Sequence, residues 1–91
     1  MHPAIFIYIY PENGMERICR LGLVVSSKLG GAVARNRLKR RLREIFRLHK
    51  AFLSPSLDIV FMPKPGACEL NFDVLKSAVL VAFKKAGVLT I

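Results

Sequence analysis

The stretch KLGGAVARNRLKRRLREIFRLHK, residues 28–50, decides how the rest of the chain is read. Within residues 30–50 it carries Arg35, Arg37, Lys39, Arg40, Arg41, Arg43, Arg47 and Lys50, eight of the chain's 15 lysines and arginines, against the single acid Glu44. At the helical step of about 100° per residue, Ala34, Leu38, Leu42, Ile45, Phe46 and His49 fall on one side. Asn36, Lys39, Arg40, Arg43, Arg47 and Lys50 fall on the other. The spacing predicts one amphipathic helix with an apolar floor and a cationic roof. A helix face left to solvent usually mixes signs and gains from acid–base pairs four residues apart. Here like charges stack with almost no acids between them, so the face implies an anionic partner. Nucleic acid fits that pattern better than a membrane surface or bare solvent.

The whole composition supports this reading. Ninety-one residues make a single domain, and 53% hydrophobic content with 23% charged residues argues for a packed core rather than disorder. The net charge is +9 and the pI about 10.3, with more than half of the positive charge in one segment. A directed basic patch of this kind binds polyanions with strong salt dependence. Cys19 and Cys68 stand far apart, with no CxxC or Cys/His spacing, so two buried free thiols in a reducing cytoplasm are expected rather than zinc or a disulfide framework. No apolar run is long enough to span a membrane. The first 14 residues, MHPAIFIYIYPENG, lack the basic start and small-residue cleavage site of a signal peptide.

Upstream of the basic helix, residues 4–10 alternate Ile5, Ile7 and Ile9 against Phe6, Tyr8 and Tyr10, a strand with an aliphatic face for the core and an aromatic one for packing or stacking. Turn chemistry follows in Pro11-Glu12-Asn13-Gly14. A second strand is expected over residues 17–26, with Cys19, Leu21, Leu23 and Val25 on one face, pairing with the first as an antiparallel hairpin. Ser26 to Gly31 then punctuates the chain before the helix. A phosphate could sit at that helix N-terminus, but a plain strand-to-helix turn is the reading favoured by spacing. Downstream, residues 58–62 read as a short buried strand, so strand, helix and strand suggest a crossover between parallel strands. Asn71 is the expected N-cap of a last helix, Phe72–Ala86, with Gly87 as its C′ residue. Phe72, Leu75, Val79, Ala82, Phe83 and Ala86 form its core stripe. Val74, Val81 and Val88 are expected on its opposite side, an apolar surface open to a neighbour such as a second copy.

Catalytic constellations are missing from the pattern. The six acids are scattered, with no paired carboxylates at two-metal spacing, and His49 falls on the apolar side of its helix, where a structural histidine is expected. No second recognition helix and no zinc ligands suggest a DNA reader. Aromatics on a sheet beside a basic helix suit RNA, whose unpaired bases stack while arginines hold phosphates.

The runs Arg20-Leu21-Gly22-Leu23-Val24-Val25-Ser26 and Lys28-Leu29-Gly30-Gly31-Ala32-Val33-Ala34-Arg35-Asn36-Arg37-Leu38-Lys39-Arg40-Arg41-Leu42-Arg43-Glu44 resemble the bacterial ribonuclease P protein subunit with its RNR motif. Asp58-Ile59-Val60 and Pro65-Gly66-Ala67 extend the resemblance, which covers roughly residues 4–87. It implies one small RNA-binding α+β domain over residues 1–91, with a mixed β-sheet packed against two helices and a left-handed crossover, against the general right-handed rule. It also implies a non-catalytic subunit of an endoribonuclease. By the same resemblance the protein is expected to bind no cofactor itself, with Mg²⁺ acting through ribonuclease P RNA. The partners it implies are that RNA and precursor tRNA, whose 5′ leader is removed, with no membrane involved.

The resemblance assigns RNA contacts to Lys28, Arg35, Asn36, Arg37, Lys39, Arg40 and Arg43, to which the helical count adds Arg47. It gives Tyr8, with Phe6 and Tyr10 beside it, to a cleft that holds single-stranded leader. Two departures bear on leader binding. The family's usual N-terminal helix has no counterpart ahead of a first strand that begins almost at Met1, and Ser27 stands where a lysine commonly precedes Lys28. A general RNA-binding or ribosome-associated module without a processing role is the alternative reading.

Overall fold

The computed structural model describes residues 5–10, 19–54 and 56–89. The expected helices and strands form in it: β1 (Ile5–Tyr10), β2 (Arg20–Leu23), α1 (Ala32–His49), β3 (Asp58–Pro63) and α2 (Phe72–Ala86). The fold is the small α+β arrangement expected, a three-stranded mixed sheet with two helices.

The strand order differs from expectation. β3 lies between the other two, antiparallel to β1 with Tyr8 opposite Val60, and parallel to β2 with Gly22 opposite Val60. The β1–β2 hairpin therefore does not form. Residues 11–14, the expected turn, and residues 17 and 18, the expected start of the second strand, lie outside the described residues. The middle position suits β3 physically. It is the one strand of the three with no exposed residue, Ile59 and Phe61 are fully buried, and only a central strand has both backbone edges paired. The parallel β2–β3 pair joined through α1 is the predicted crossover. β2 as a regular strand is shorter than expected, although the Val24 amide still donates to the Phe61 carbonyl at 3.0 Å.

One side of the sheet carries the core. Ile5 and Ile7 of β1 and Ile59 and Phe61 of β3 meet Leu38, Leu42 and Ile45 of α1 and Leu75, Val79 and Phe83 of α2. The Phe61 and Phe83 rings stack with centroids 6.2 Å apart. The three buried α1 residues lie on the predicted apolar floor, each worth roughly 1.5–3 kcal/mol of burial before chain entropy is counted. His49 is structural, its Nδ1 donating to the Ile45 carbonyl at 2.7 Å.

The termini of α2 follow their sequence signals. Asn71 Oδ1 accepts from the Val74 amide at 2.9 Å, and Gly87 turns the chain at φ 69°. That turn corrects one expectation. Val88 does not share the exposed side of α2 with Val74 and Val81, because the left-handed residue folds it back into the core, where it is 7% exposed and its carbonyl accepts from the Ser54 amide. Val74 and Val81 do face outward.

Candidate nucleic-acid interface

Two surfaces of this frame carry the chemistry singled out above. The first is the outer side of α1. Two consecutive glycines set its start. Gly30 has φ 148°, a conformation side chains resist, and Gly31 caps the helix without a side-chain hydrogen bond. Arg35 Nε returns to the Gly30 carbonyl at 3.1 Å, so this half-buried arginine of the motif also fastens the helix entry. Lys28 is exposed in the short 3-10 turn just before, where Ser26 Oγ accepts its amide at 3.1 Å.

Beyond that entry, Asn36, Arg37, Arg40, Arg43 and Arg47 are exposed, and Lys39 is half-buried. Arg37, which the helical count placed on a flank, is thus open to solvent together with the roof. Arg47 is partly committed. Its Nε donates to Glu44 Oε2 at 3.0 Å and its Nη2 to Oε1. That hydrogen bonding holds the Glu44 carboxyl below the usual range and raises the Arg47 guanidinium. Arg41 belongs to a different class. It is half-buried and its Nη1 donates to the Leu70 carbonyl at 2.9 Å, joining α1 to the segment that enters α2. The helical step sets Arg41 beside Ala34 at the edge of the apolar floor and Arg40 on the roof, but the carbonyl that Arg41 meets lies 29 residues away and is not legible from the helix alone.

The second surface is the face of the sheet turned away from the helices. Phe6, Tyr8 and Tyr10 all point there, 38%, 45% and 57% exposed, while Ile5 and Ile7 are buried on the other side. Register places Met62, Val60 and Asp58 of β3 beside them, and Gly22 and Arg20 of β2 beyond. Lys64 Nζ stands 4.4 Å from the centre of the Phe6 ring, a cation–π contact that puts a positive charge among the aromatics. Arg20 Nε and Nη2 donate to Asp58 Oδ1 and Oδ2 at 2.8 and 2.6 Å, and this pairing raises the arginine's pKa further. Sequence reading found the aromatics but not Lys64 or the Arg20–Asp58 pair. The only signal that could have found them is the strand register.

Among the described residues, no group of three or more His, Cys, Asp or Glu is placed to hold a metal ion, and no helix is long and apolar enough to cross a membrane. What these two surfaces offer is phosphate binding along a helix and a flat aromatic platform with cations at its margins.

Known proteins share this chain's sequence pattern and fold. A family model described as Ribonuclease P matches residues 2–87. The ribonuclease P protein component of Dictyoglomus thermophilum is 39% identical over 83 residues, 89% of this chain and 68% of that protein. The corresponding protein of Roseiflexus sp. is 45% identical over 75 residues, 81% of this chain and 62% of its relative. The chain thus spans about two thirds of the length of these curated relatives. Among solved structures, the Staphylococcus aureus RNase P protein superposes with a TM-score of 0.84 at 29% identity, covering 98% of this chain and 80% of that one. The Thermotoga maritima RNase P protein gives 0.80 at 34% identity, covering 93% and 79%. Sequence and fold converge, and the chain belongs to the ribonuclease P protein family.

Proposed function

We propose that this chain works as the protein component of ribonuclease P, holding the catalytic RNA with the outer side of α1 and the 5′ leader of precursor tRNA across the open face of the sheet. Hydrolysis belongs to the RNA subunit and its Mg²⁺, and the protein contributes binding and position. The observation that carries this reading is the division of labour on α1. Its floor is spent on the core and Arg41 on the Leu70 carbonyl, while Arg37, Arg40 and Arg43 are exposed without an ion pair among the described residues. Self-repelling cations held in a rigid row gain their stabilisation from a polyanion. On the sheet, Tyr8 sits mid-strand on the exposed face, where an unpaired base can stack on it.

Reconstitution with the matching RNA subunit tests the proposal. At low Mg²⁺ the protein should raise the rate of precursor-tRNA cleavage, and no gain would refute it. Tyr8→Ala should weaken binding of precursor relative to mature tRNA, whereas equal losses for both would remove the leader from the sheet. A merely general RNA-binding module would instead bind arbitrary structured RNAs equally well and leave cleavage unchanged.

A further inference from the structure

The open face of the sheet has a shallow depression lined by Arg20, Leu21, Gly22, Asp58, Ile59 and Val60. Ile59 is buried on the opposite side, so what it offers here is main chain. The depression exists because residue 22 has no side chain, and the fold does not demand that. Gly22 is not among the glycines at positive φ. A Cβ at this position would meet Val60 Cγ2 at 3.6 Å and the Ile59 carbonyl oxygen at 4.0 Å, ordinary contact distances. Glycine within a strand costs backbone entropy and forgoes packing, and it often marks a place where another body approaches the backbone.

One end of the depression is closed by Arg20, two residues away on the same strand face. Its Nε and Nη2 bond the two Asp58 carboxylate oxygens at 2.8 and 2.6 Å. A two-point hold of this kind fixes the plane of the guanidinium and turns its Nη1–Nη2 end away from the acid. That end presents two N–H directions in one plane, the spacing that matches O6 and N7 of guanine. Across the sheet, Tyr8, Val60 and Gly22 form one row, so an aromatic ring stands where the next base would lie.

We propose that Gly22, Val60 and the Asp58-held Arg20 form a seat for one guanine of a single-stranded RNA. The base lies on the main chain at Gly22 against Val60, and the guanidinium end takes its O6/N7 edge. Only an unpaired base can present its flat face in this way. The chain's net charge of +9, with Arg20 and Lys64 on this same face, suits a polyanion. The seat rests on the leader reading above and adds a choice of base to it.

The test uses the reconstituted holoenzyme and precursor tRNAs whose leaders are all uridine except for one guanine moved through successive positions. Wild-type protein should show one position at which guanine tightens binding by roughly tenfold. Gly22→Ala, whose methyl group fits without strain, should weaken that preference severalfold. Arg20→Lys, which keeps the charge but lacks the planar fork, and the paired Arg20→Gln/Asp58→Asn variant should abolish it. Binding of mature tRNA and of the RNA subunit should change less than twofold in all three. A preference that survives in every variant, or a loss equal for all leaders, would overturn the seat, the latter by assigning Arg20 to the phosphate backbone. A wild type that separates precursor from mature tRNA yet ignores leader sequence overturns the seat alone. One that does not separate them overturns the leader reading as well.

Discussion

Arg40, Arg41 and Arg43 occupy neighbouring positions in one helix and should respond to mutation in two different ways. Arg40 and Arg43 are exposed, one helical turn apart, and unpaired by any acid among the described residues. If each neutralises one phosphate, removing both lowers the slope of log affinity against log salt by about 1.4–1.8, from roughly 0.7–0.9 per contact. Between about 50 and 200 mM salt, wild-type binding to the RNA subunit should then fall some 7–12-fold more than that of Arg40→Ala/Arg43→Ala. The double variant should keep its melting temperature, since neither side chain is used in the fold. Arg41→Ala should do the reverse. It leaves the Leu70 carbonyl without its donor, at a cost of about 1–3 kcal/mol, while the salt slope stays as in wild type. For a domain of this size each kcal/mol lowers the melting temperature by about 4–8 °C. Fluorescence titrations at four salt concentrations, paired with thermal melts, separate the two. An unchanged slope in the double variant, or an equal flattening in Arg41→Ala, would refute the division of α1 into docking and structural cations.

Other consequences follow from single contacts. Asn71→Ala removes the cap on the Val74 amide and should cost about 1 kcal/mol, read as a lower melting temperature with RNA-subunit affinity at a fixed low temperature unchanged. Phe83→Ala empties a fully buried site against Phe61 and should cost about 3–5 kcal/mol, a large part of the roughly 5–14 kcal/mol expected for a domain this size. Denaturant unfolding measures it, and a loss below 1 kcal/mol would mean that the site collapses or that the ring contact is absent. Burial is the largest influence on the Cys19 thiol and pushes its pKa up, so less thiolate is present near pH 8. In a Cys68→Ser background, Cys19 should therefore react with a disulfide reagent at pH 8 more slowly than a cysteine in an unstructured peptide. An equal rate would contradict the burial.

Helix limits and helix faces were legible because their causes are local. Asn71, Gly87 and the paired glycines before Ala32 act within a few residues, and the apolar period of residues 34–49 selects the buried side without reference to any partner. Strand pairing was not legible in the same way. The turn chemistry of residues 11–14 suggested a hairpin, but local turn signals cannot weigh the gain of placing β3 between two neighbours. Val88 was misplaced for a related reason. Extending the helical period past Gly87 ignored the reversal that a left-handed residue imposes.

For the candidate site, sequence alone determined a cationic helix face and an alternating aromatic strand, since both are periodic within one element, and the basic motif pointed to the right family. The tertiary structure decided which cations remain on offer. It assigned Arg41 to a carbonyl 29 residues away, whereas the Glu44–Arg47 pair, three residues apart in one helix, is local. It also paired Arg20 with Asp58 across 38 residues and stood Lys64 over Phe6. A charge's environment depends on what the fold brings beside it, and strand register is a property of the sheet that no single strand encodes.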